Sequence, residues 1–201
     1  MLGLPKATEL SKQLPKKAIY AKFQMNTAAK EKIDTDISRI TIVNEVSPSK
    51  VSIEEGKEVK SFFVMSVSLK KKDFDERNII TIWKLIPQNM VMILHFENMA
   101  KLAVYRTKLM QTEWKHLDEI NIKLEGLNFD KVWENIIIQI GNLQVEKGNS
   151  LDLQIAKNEQ RDKLLKEIQR FEKLARAEKQ PKKKFDLVAK AKKLKIEMQE
   201  L

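Results

Sequence analysis

The chain has 201 residues, of which 42% are hydrophobic and 33% charged, and its formal net charge is +10. This length and composition are typical of a folded protein with one core domain and an appendage. It has no cysteine and only two histidines, which excludes disulfides, zinc fingers, thiol nucleophiles and histidine-rich metal sites. The first residues lack the apolar core of a secretion signal, and no segment has membrane-spanning length, so we expect a cytoplasmic protein without membrane contact.

The amino-terminal third of the chain predicts helices followed by strands. Residues 5–38 are polar and contain helix formers, so we expect them to be helical. Apolar residues then alternate at Ile40, Ile42 and Val46, which indicates a strand with one hydrated face. Residues 58–70 are the strongest strand prediction, because their first half is apolar on both faces, as in a central strand.

A helix is predicted directly after this central strand. Asp73 and Glu76 form a capping box at its start, and Pro87 ends it. The apolar run of residues 90–96 predicts a second buried strand, which a short hairpin joins to a strand at residues 102–105.

The remaining core elements are one edge-like strand and one helix. Residues 120–124 alternate and predict the strand, whereas Asn128 caps a helix that Gly141 ends. The inward face of this helix consists of large apolar residues: Phe129, Val132, Trp133, Ile136 and Ile140. Residues 148–150 (Gly-Asn-Ser) are the expected hinge into the tail.

The tail predicts an antiparallel helical hairpin. Leu164, Ile168, Phe171 and Ala175 recur at spacings of four and three, and so do the apolar residues of a second stripe. The second stripe comprises Leu187, Ala191, Leu194, Met198 and Leu201. Pro181 lies between them and places a turn near Gln180. One continuous helix that dimerises with another chain remains the alternative, so the oligomeric state stays open.

The order of these elements predicts an α+β fold. We expect a core domain over residues 1–150, with a mixed β-sheet and flanking helices, and a coiled-coil-like hairpin over residues 151–201. Residues 151–201 hold 15 Lys or Arg and 9 Asp or Glu, so this quarter of the chain carries +6 of the net +10. This excess of positive charge favours contact with the phosphate groups of nucleic acids. Lysines that only keep the helix surfaces hydrated would explain the excess equally well.

The order helix, strands, helix, strand over residues 28–97 is similar to the core of restriction-type nucleases. Those enzymes hold Mg²⁺ with acids on two strands and place a lysine two residues after the second acid. Here Lys70 has the lysine position, but Ser68 replaces the acid and is a poor magnesium ligand. The nuclease alternative is therefore either a metal-dependent enzyme that uses Lys70 with Glu45 or Glu58 as acids, or a degenerate version of this fold without activity. We favour no catalytic residue, no metal and no cofactor.

Two further patterns have a functional and a structural interpretation. His95 and Glu97 are expected on the same side of a strand, where acid–base work is possible, but a hydrogen-bonded core histidine is the commoner case. Basic and aromatic residues interleave over residues 101–116. This pattern is typical of a surface that contacts phosphate, here through Arg106 and Lys108. An ordinary hydrated strand face has the same pattern.

Three segments resemble an uncharacterised bacterial family, the domain of unknown function 4391. They are Leu4-Pro5-Lys6-Ala7-Thr8-Glu9, the run from Lys108 to Lys115 and the run from Glu178 to Lys184. The resemblance implies no active-site residue. It implies a context, because similar proteins tend to be encoded beside helicases, DNA methyltransferases and restriction-like subunits of bacterial defence regions.

We therefore expect a non-catalytic accessory protein of a bacterial restriction or phage-defence assembly, docked through its hairpin to a helicase-like or methyltransferase-like protein. The docking residues predicted from the stripes are Leu164, Ile168, Phe171, Leu187, Leu194 and Met198. The residues predicted to contact nucleic acid through charge are Lys182, Lys183, Lys184, Arg106 and Lys108. An acidic protein surface would satisfy the same charges.

Overall fold

The computed structural model of the protein describes residues 2–145 and 150–199. The chain forms two compact units, residues 1–143 and residues 144–201. Within the described ranges, no helix combines the length and the apolar character that crossing a bilayer requires.

The first unit alternates strands and helices. In chain order its elements are β1 (Glu9–Gln13), α1 (Lys16–Lys22), α2 (Thr27–Asp36), β2 (Ile37–Val46), β3 (Phe62–Leu69), α3 (Glu76–Leu85), β4 (Met90–Phe96), β5 (Met99–Tyr105), β6 (Leu109–Gln111), β7 (Lys115–His116) and α4 (Phe129–Gly141). Short 3-10 helices lie at Lys6–Thr8 and Leu117–Glu119.

The strands form one mixed sheet. Their order is β1-β2-β3-β4-β5-β6, and β7 also pairs with β5. β3 and β4 are parallel because α3 connects them as a crossover, whereas the other neighbours are antiparallel. The α+β fold with a mixed sheet is therefore confirmed.

β3 is buried on both faces, as a central strand requires. On one face Met65, Val67 and Leu69 join the core formed with α1, α2 and α3. On the other face Phe62 packs against α4, and its ring centroid lies 6.2 Å from that of Phe129 and 5.5 Å from that of Trp133. Two-sided packing fixes the register of the strand and hence the positions of the residues that follow it.

The prediction of helix over residues 5–38 is wrong at both ends. Glu9–Gln13 is a strand at the edge of the sheet, and Ile37 already belongs to β2. β1 is almost entirely exposed and polar, so no apolar alternation marks it in the sequence. Helix is correct for Lys16–Lys22 and Thr27–Asp36.

Two of the three capping residues predicted for the core helices shift by one or two positions. Asp75, not Asp73, caps α3, and its carboxylate accepts the Arg77 N–H at 2.9 Å. Asn128 caps α4 as predicted, through the Lys131 N–H at 3.0 Å. The left-handed residue that ends α4 is Asn142, with φ 47°, rather than Gly141.

Two predicted strand segments are also corrected. Residues 58–61 are irregular, so the central strand begins only at Phe62. Residues 120–124 form no strand, although Ile120 and Ile122 are buried. Their alternation therefore reflects burial of every second side chain outside a strand ladder, although the Ile122 N–H donates to the Leu2 carbonyl at 2.9 Å.

The second unit is a helical hairpin. α5 (Leu151–Ala177) and α6 (Pro181–Gln199) pack against each other and are joined by residues 178–180. Pro181 is the first residue of α6, a position where its missing N–H and fixed φ are favourable. The predicted hinge residues Gly148 and Asn149 and the last stripe residue, Leu201, lie outside the described residues.

Candidate functional site

The apolar stripes of the tail lie inside the hairpin. Leu164, Ile168, Ala175 and Ala191 are buried. Phe171, Leu187, Leu194 and Met198 are half-buried. The six residues predicted to dock a partner thus contribute to packing between α5 and α6, and their docking role stays a prediction.

Charged side chains fix the two helices side by side. The Lys195 ammonium lies 2.7 Å from one Glu172 oxygen, and Arg176 lies 3.9 Å from the other. The hydrogen bond from Lys195 is the main cause that lowers the pKa of Glu172. Lys190 lies 5.9 Å from the centroid of the Phe171 ring. The contacts support the hairpin within one chain.

α6 exposes a second stripe, which we call the outer seam and which consists of the apolar residues Phe185, Ala189 and Ile196 with Lys192 between them. Phe185 is 74% exposed and Ile196 is 50% exposed. Their spacing of four, three and four is the same pattern that predicts the packed stripes of the hairpin. This surface could therefore be recognised from the sequence, although our prediction does not include it. Large apolar residues exposed on one side of a helix are typical of an interaction surface.

A groove beside the outer seam is basic. It encloses about 460 Å³ between the helices. Its charged lining is Arg176, Lys184, Lys192 and Lys195 with the single acid Glu172, and Val188 adds an apolar wall that is 50% exposed. The tip lysines Lys182, Lys183 and Lys184 are exposed in the first turn of α6, where positive charge opposes the helix dipole.

The residues of the nuclease alternative do not meet. Lys70 follows the carboxyl end of β3, whereas Glu45 pairs with Phe63 near the start of that strand. Lys70 lies seven positions beyond Phe63 along the chain, which corresponds to about 23 Å of extended backbone. Glu45 is bound by Lys50 at 2.6 Å, and the backbone of Glu58 is held by Asp130 of α4 at 3.1 Å.

The position of the missing nuclease acid is occupied by a Ser–His pair. The Ser68 hydroxyl lies 2.9 Å from Nε2 of His95 on the neighbouring parallel strand, and burial lowers the pKa of His95. Glu97 is an exposed turn residue with φ 52°, so the expected alignment of His95 and Glu97 on one strand is wrong. No group of three or more potential metal ligands of the His, Asp or Glu type occurs in residues 2–145 and 150–199.

Asp36 is a buried acid beside the end of β3, where its backbone carbonyl accepts the Lys70 N–H at 2.8 Å. Its Oδ2 accepts the Asp75 N–H at 2.8 Å and the Asn78 amide at 2.7 Å, and Lys71 lies 2.8 Å from Oδ1. Burial favours a higher pKa, but the Lys71 ammonium and these hydrogen bonds outweigh it and lower the pKa of Asp36. The carboxylate is thereby used to fix the loop between β3 and α3.

In the basic and aromatic segment, residues 101–116, the side chains largely contact other residues of the first unit. Lys101 lies between two aromatic rings, 4.9 Å from the Phe74 centroid and 5.0 Å from that of Trp114. Burial lowers the pKa of Lys101. Arg106 and Lys108 lie in the loop between β5 and β6 and are half-buried, so the structure does not bring them together with Lys101 into one open basic face.

Comparison with known proteins identifies the family. A family model described as a domain of unknown function (DUF4391) matches residues 2–198. The chain belongs to this family. No curated protein and no solved structure matches the chain. The family description names no activity, so the function has to be argued from the surfaces of the molecule.

Proposed function

We propose that this protein is a non-catalytic accessory component of a bacterial DNA-targeting assembly of the restriction or phage-defence type, with the hairpin as its docking element. The outer seam of α6 is the observation that carries the proposal. A hairpin whose inner stripes are already packed gains no stability from Phe185 and Ile196 on its outside, so a partner is the physical reason for them.

The expected partner is a helicase-like or methyltransferase-like protein. The family resemblance supports this choice, because genes of that kind tend to neighbour those of similar proteins. A cytoplasmic location follows from it, since such assemblies act on intracellular DNA. The excess of positive charge in the hairpin supports additional contact with nucleic acid through Lys182, Lys183 and Lys184.

The non-catalytic part of the proposal is supported by the first unit. Lys70 is separated from Glu45 and Glu58, and the acid position of the nuclease pattern is a serine engaged with His95. Asp36 is held by Lys71 and by hydrogen bonds from Asp75 and Asn78. The Asp36 carboxylate, directly before the strand that pairs with β3, thus has a structural role.

Co-purification of the full chain with the products of neighbouring genes tests the docking role. We expect a complex that Ile196→Asp weakens about tenfold or more, because a charge is introduced into an apolar contact. The matched control is Leu127→Asp, a leucine that is 88% exposed in the first unit, and this variant should bind like the wild type. If no neighbouring product binds, or if both variants bind equally well, the proposed docking role is wrong.

A further inference from the structure

The two sides of the hairpin differ in charge. α5 and α6 leave a groove on each side of their contact. The groove of about 460 Å³ described above, which we call the basic groove, has four cations and one acid in its lining. The groove on the other side encloses about 470 Å³ and is lined by Lys183 and Lys190 together with Glu178 and Asp186. Two grooves of nearly equal volume therefore differ in their charge.

The single acid of the basic groove is already neutralised. The Lys195 ammonium lies 2.7 Å from Glu172, so this pair adds no net charge to the groove. Arg176, Lys184 and Lys192 remain as an excess of three positive charges. The Arg176 side chain is 84% exposed, and among the described residues no carboxylate pairs with Lys184 or Lys192. These three cations are available to a ligand.

The acids described on α6 do not offset this charge. They are Asp186 and Glu197, and with 100° of rotation per residue they lie about 120° to 180° around the helix from each lysine of the groove. The lysines of the groove are Lys184, Lys192 and Lys195. They extend over eleven residues of α6, or about 17 Å along its axis. The groove thus presents a row of positive charge.

We infer that the basic groove binds the phosphate backbone of duplex DNA. Lysines and arginines that neutralise phosphates release the counterions of the duplex, which drives binding without sequence preference. Among the described residues that line the groove, none is aromatic and only Val188 is a large apolar residue. The groove therefore lacks both a platform for base stacking and the apolar stripe that an amphipathic helix needs. The inference rests on the contact with nucleic acid proposed above, and it places the backbone along one side of the hairpin rather than at the tip lysines alone.

A variant of two groove cations tests this position. Arg176→Gln with Lys192→Gln spares the Lys195–Glu172 pair and the tip lysines. Binding of a short labelled DNA duplex to the full-length protein is measured by fluorescence anisotropy over a series of salt concentrations. Because two phosphate contacts are lost, we expect binding at low salt to weaken about tenfold or more. The slope of the logarithm of affinity against the logarithm of salt concentration should become flatter by about 1.8.

The matched control is Arg170→Gln with Lys193→Gln. It also removes one arginine of α5 and one lysine of α6, and both residues are exposed. They lie at least about 100° around their own helices from every cation of the basic groove. The salt slope of this variant should equal that of the wild type. Circular dichroism of both variants checks that the hairpin remains helical.

Four results would overturn the inference. Equal flattening of the slope in the two variants means that only net charge attracts DNA. A groove variant that binds like the wild type, while glutamine at all three tip lysines abolishes binding, places the backbone at the tip alone. A wild-type protein that does not bind the duplex at low salt has no backbone site. Polyglutamate that binds the wild type but not the groove variant, without binding of the duplex, makes an acidic protein the occupant.

The docking role is tested separately from the groove. Co-purification with a neighbouring gene product depends on the outer seam, and Ile196→Asp leaves all cations of the basic groove in place. Co-purification without duplex binding preserves the docking role and rejects the groove as a DNA site. A groove-dependent salt slope without co-purification confirms the groove and rejects the docking role.

Discussion

Asp36 joins three elements of the first unit through one buried carboxylate. It ends α2, receives the amide of Asp75 at the cap of α3, and binds Asn78 in the first turn of α3. Asn78 in turn donates to the Lys32 carbonyl at 3.0 Å. These contacts close the loop after β3 and explain why Lys70 and Lys71 have defined positions there.

The substitution Asp36→Asn keeps the size of the side chain and removes its charge. We expect it to lower the free energy of unfolding at neutral pH by about 2 kcal/mol, since the ion pair with Lys71 is lost and the donors Asp75 and Asn78 then bind a neutral oxygen. The folded state lowers the pKa of Asp36 below its unfolded value, so this stabilisation is present above about pH 4 and disappears as the pH falls further. Urea unfolding at a series of pH values measures the difference.

The difference in the free energy of unfolding between wild type and Asp36→Asn should therefore become smaller at acidic pH. Glu31→Gln, on the exposed side of α2, serves as the control and should leave the free energy of unfolding unchanged to within about 0.5 kcal/mol. The difference in the free energy of unfolding between wild type and Asp36→Asn could instead stay constant down to pH values well below the ordinary aspartate pKa. That result would show that the charge of Asp36 contributes nothing to stability.

At the scale of elements, the hairpin is set by short-range signals. The four and three spacing of Ile168 and its neighbours, with Pro181 between the stripes, is sufficient to define two packed helices. Ile168 is 3% exposed in the interface, whereas Leu165, three residues earlier, is 44% exposed. The two residues lie on the same helix and differ mainly in burial.

Truncation of these two side chains should affect the hairpin very differently. Ile168→Ala should destabilise it by about 3 kcal/mol, because a cavity is left between α5 and α6. Leu165→Ala should cost less than about 0.5 kcal/mol. Hydrogen exchange of the α6 amides in the full chain measures both. Equal exchange in the two variants would contradict the packing of α6 against α5 through Ile168.

The elements that sequence reasoning missed lack such local signals. β1 is a polar edge strand that is identified only by its pairing with β2, about thirty residues away. The cap of α3 at Asp75 was ambiguous because Asp73 also precedes the helix. The network around Asp36 joins residues about forty positions apart, and a single sequence contains no signal for such contacts.

The candidate sites also differ in whether a local sequence pattern marks them. The outer seam was available from spacing alone, and it was missed because Lys192 interrupts its apolar character. The separation of Lys70 from Glu45 follows from strand register, which depends on tertiary packing. The packing of Phe171 and Leu194 between α5 and α6 follows from the hairpin pattern, whereas their predicted docking role stays a prediction.

At the scale of the whole molecule, charge is the clearest asymmetry. The segment of residues 151–201 carries +6, and the exposed lysines 182–184 crowd the first turn of α6. Neutralisation of three phosphates predicts a slope of about −2.7 for the logarithm of DNA affinity against the logarithm of salt concentration. Replacement of all three lysines by glutamine should weaken duplex binding and flatten the slope by a similar amount.

A matched triple variant makes this measurement specific. Lys6, Lys12 and Lys17 are exposed lysines of the first unit, and their replacement by glutamine changes the net charge equally. The control should retain the slope contributed by the tip. A wild-type protein that does not bind duplex DNA at low salt, or a tip variant with an unchanged slope, would show that the tip contacts no phosphate.

The central claim is that this protein supports a DNA-targeting assembly without catalysing cleavage itself. The most direct measurement is DNA cleavage with Mg²⁺ or Mn²⁺ by the chain alone, by the assembly of neighbouring gene products, and by that assembly with Lys70→Ala. We expect that the chain alone does not cleave DNA, and that cleavage by the assembly requires the chain but is unaffected by Lys70→Ala. Cleavage that disappears in a folded Lys70→Ala variant would contradict the account and establish the nuclease alternative.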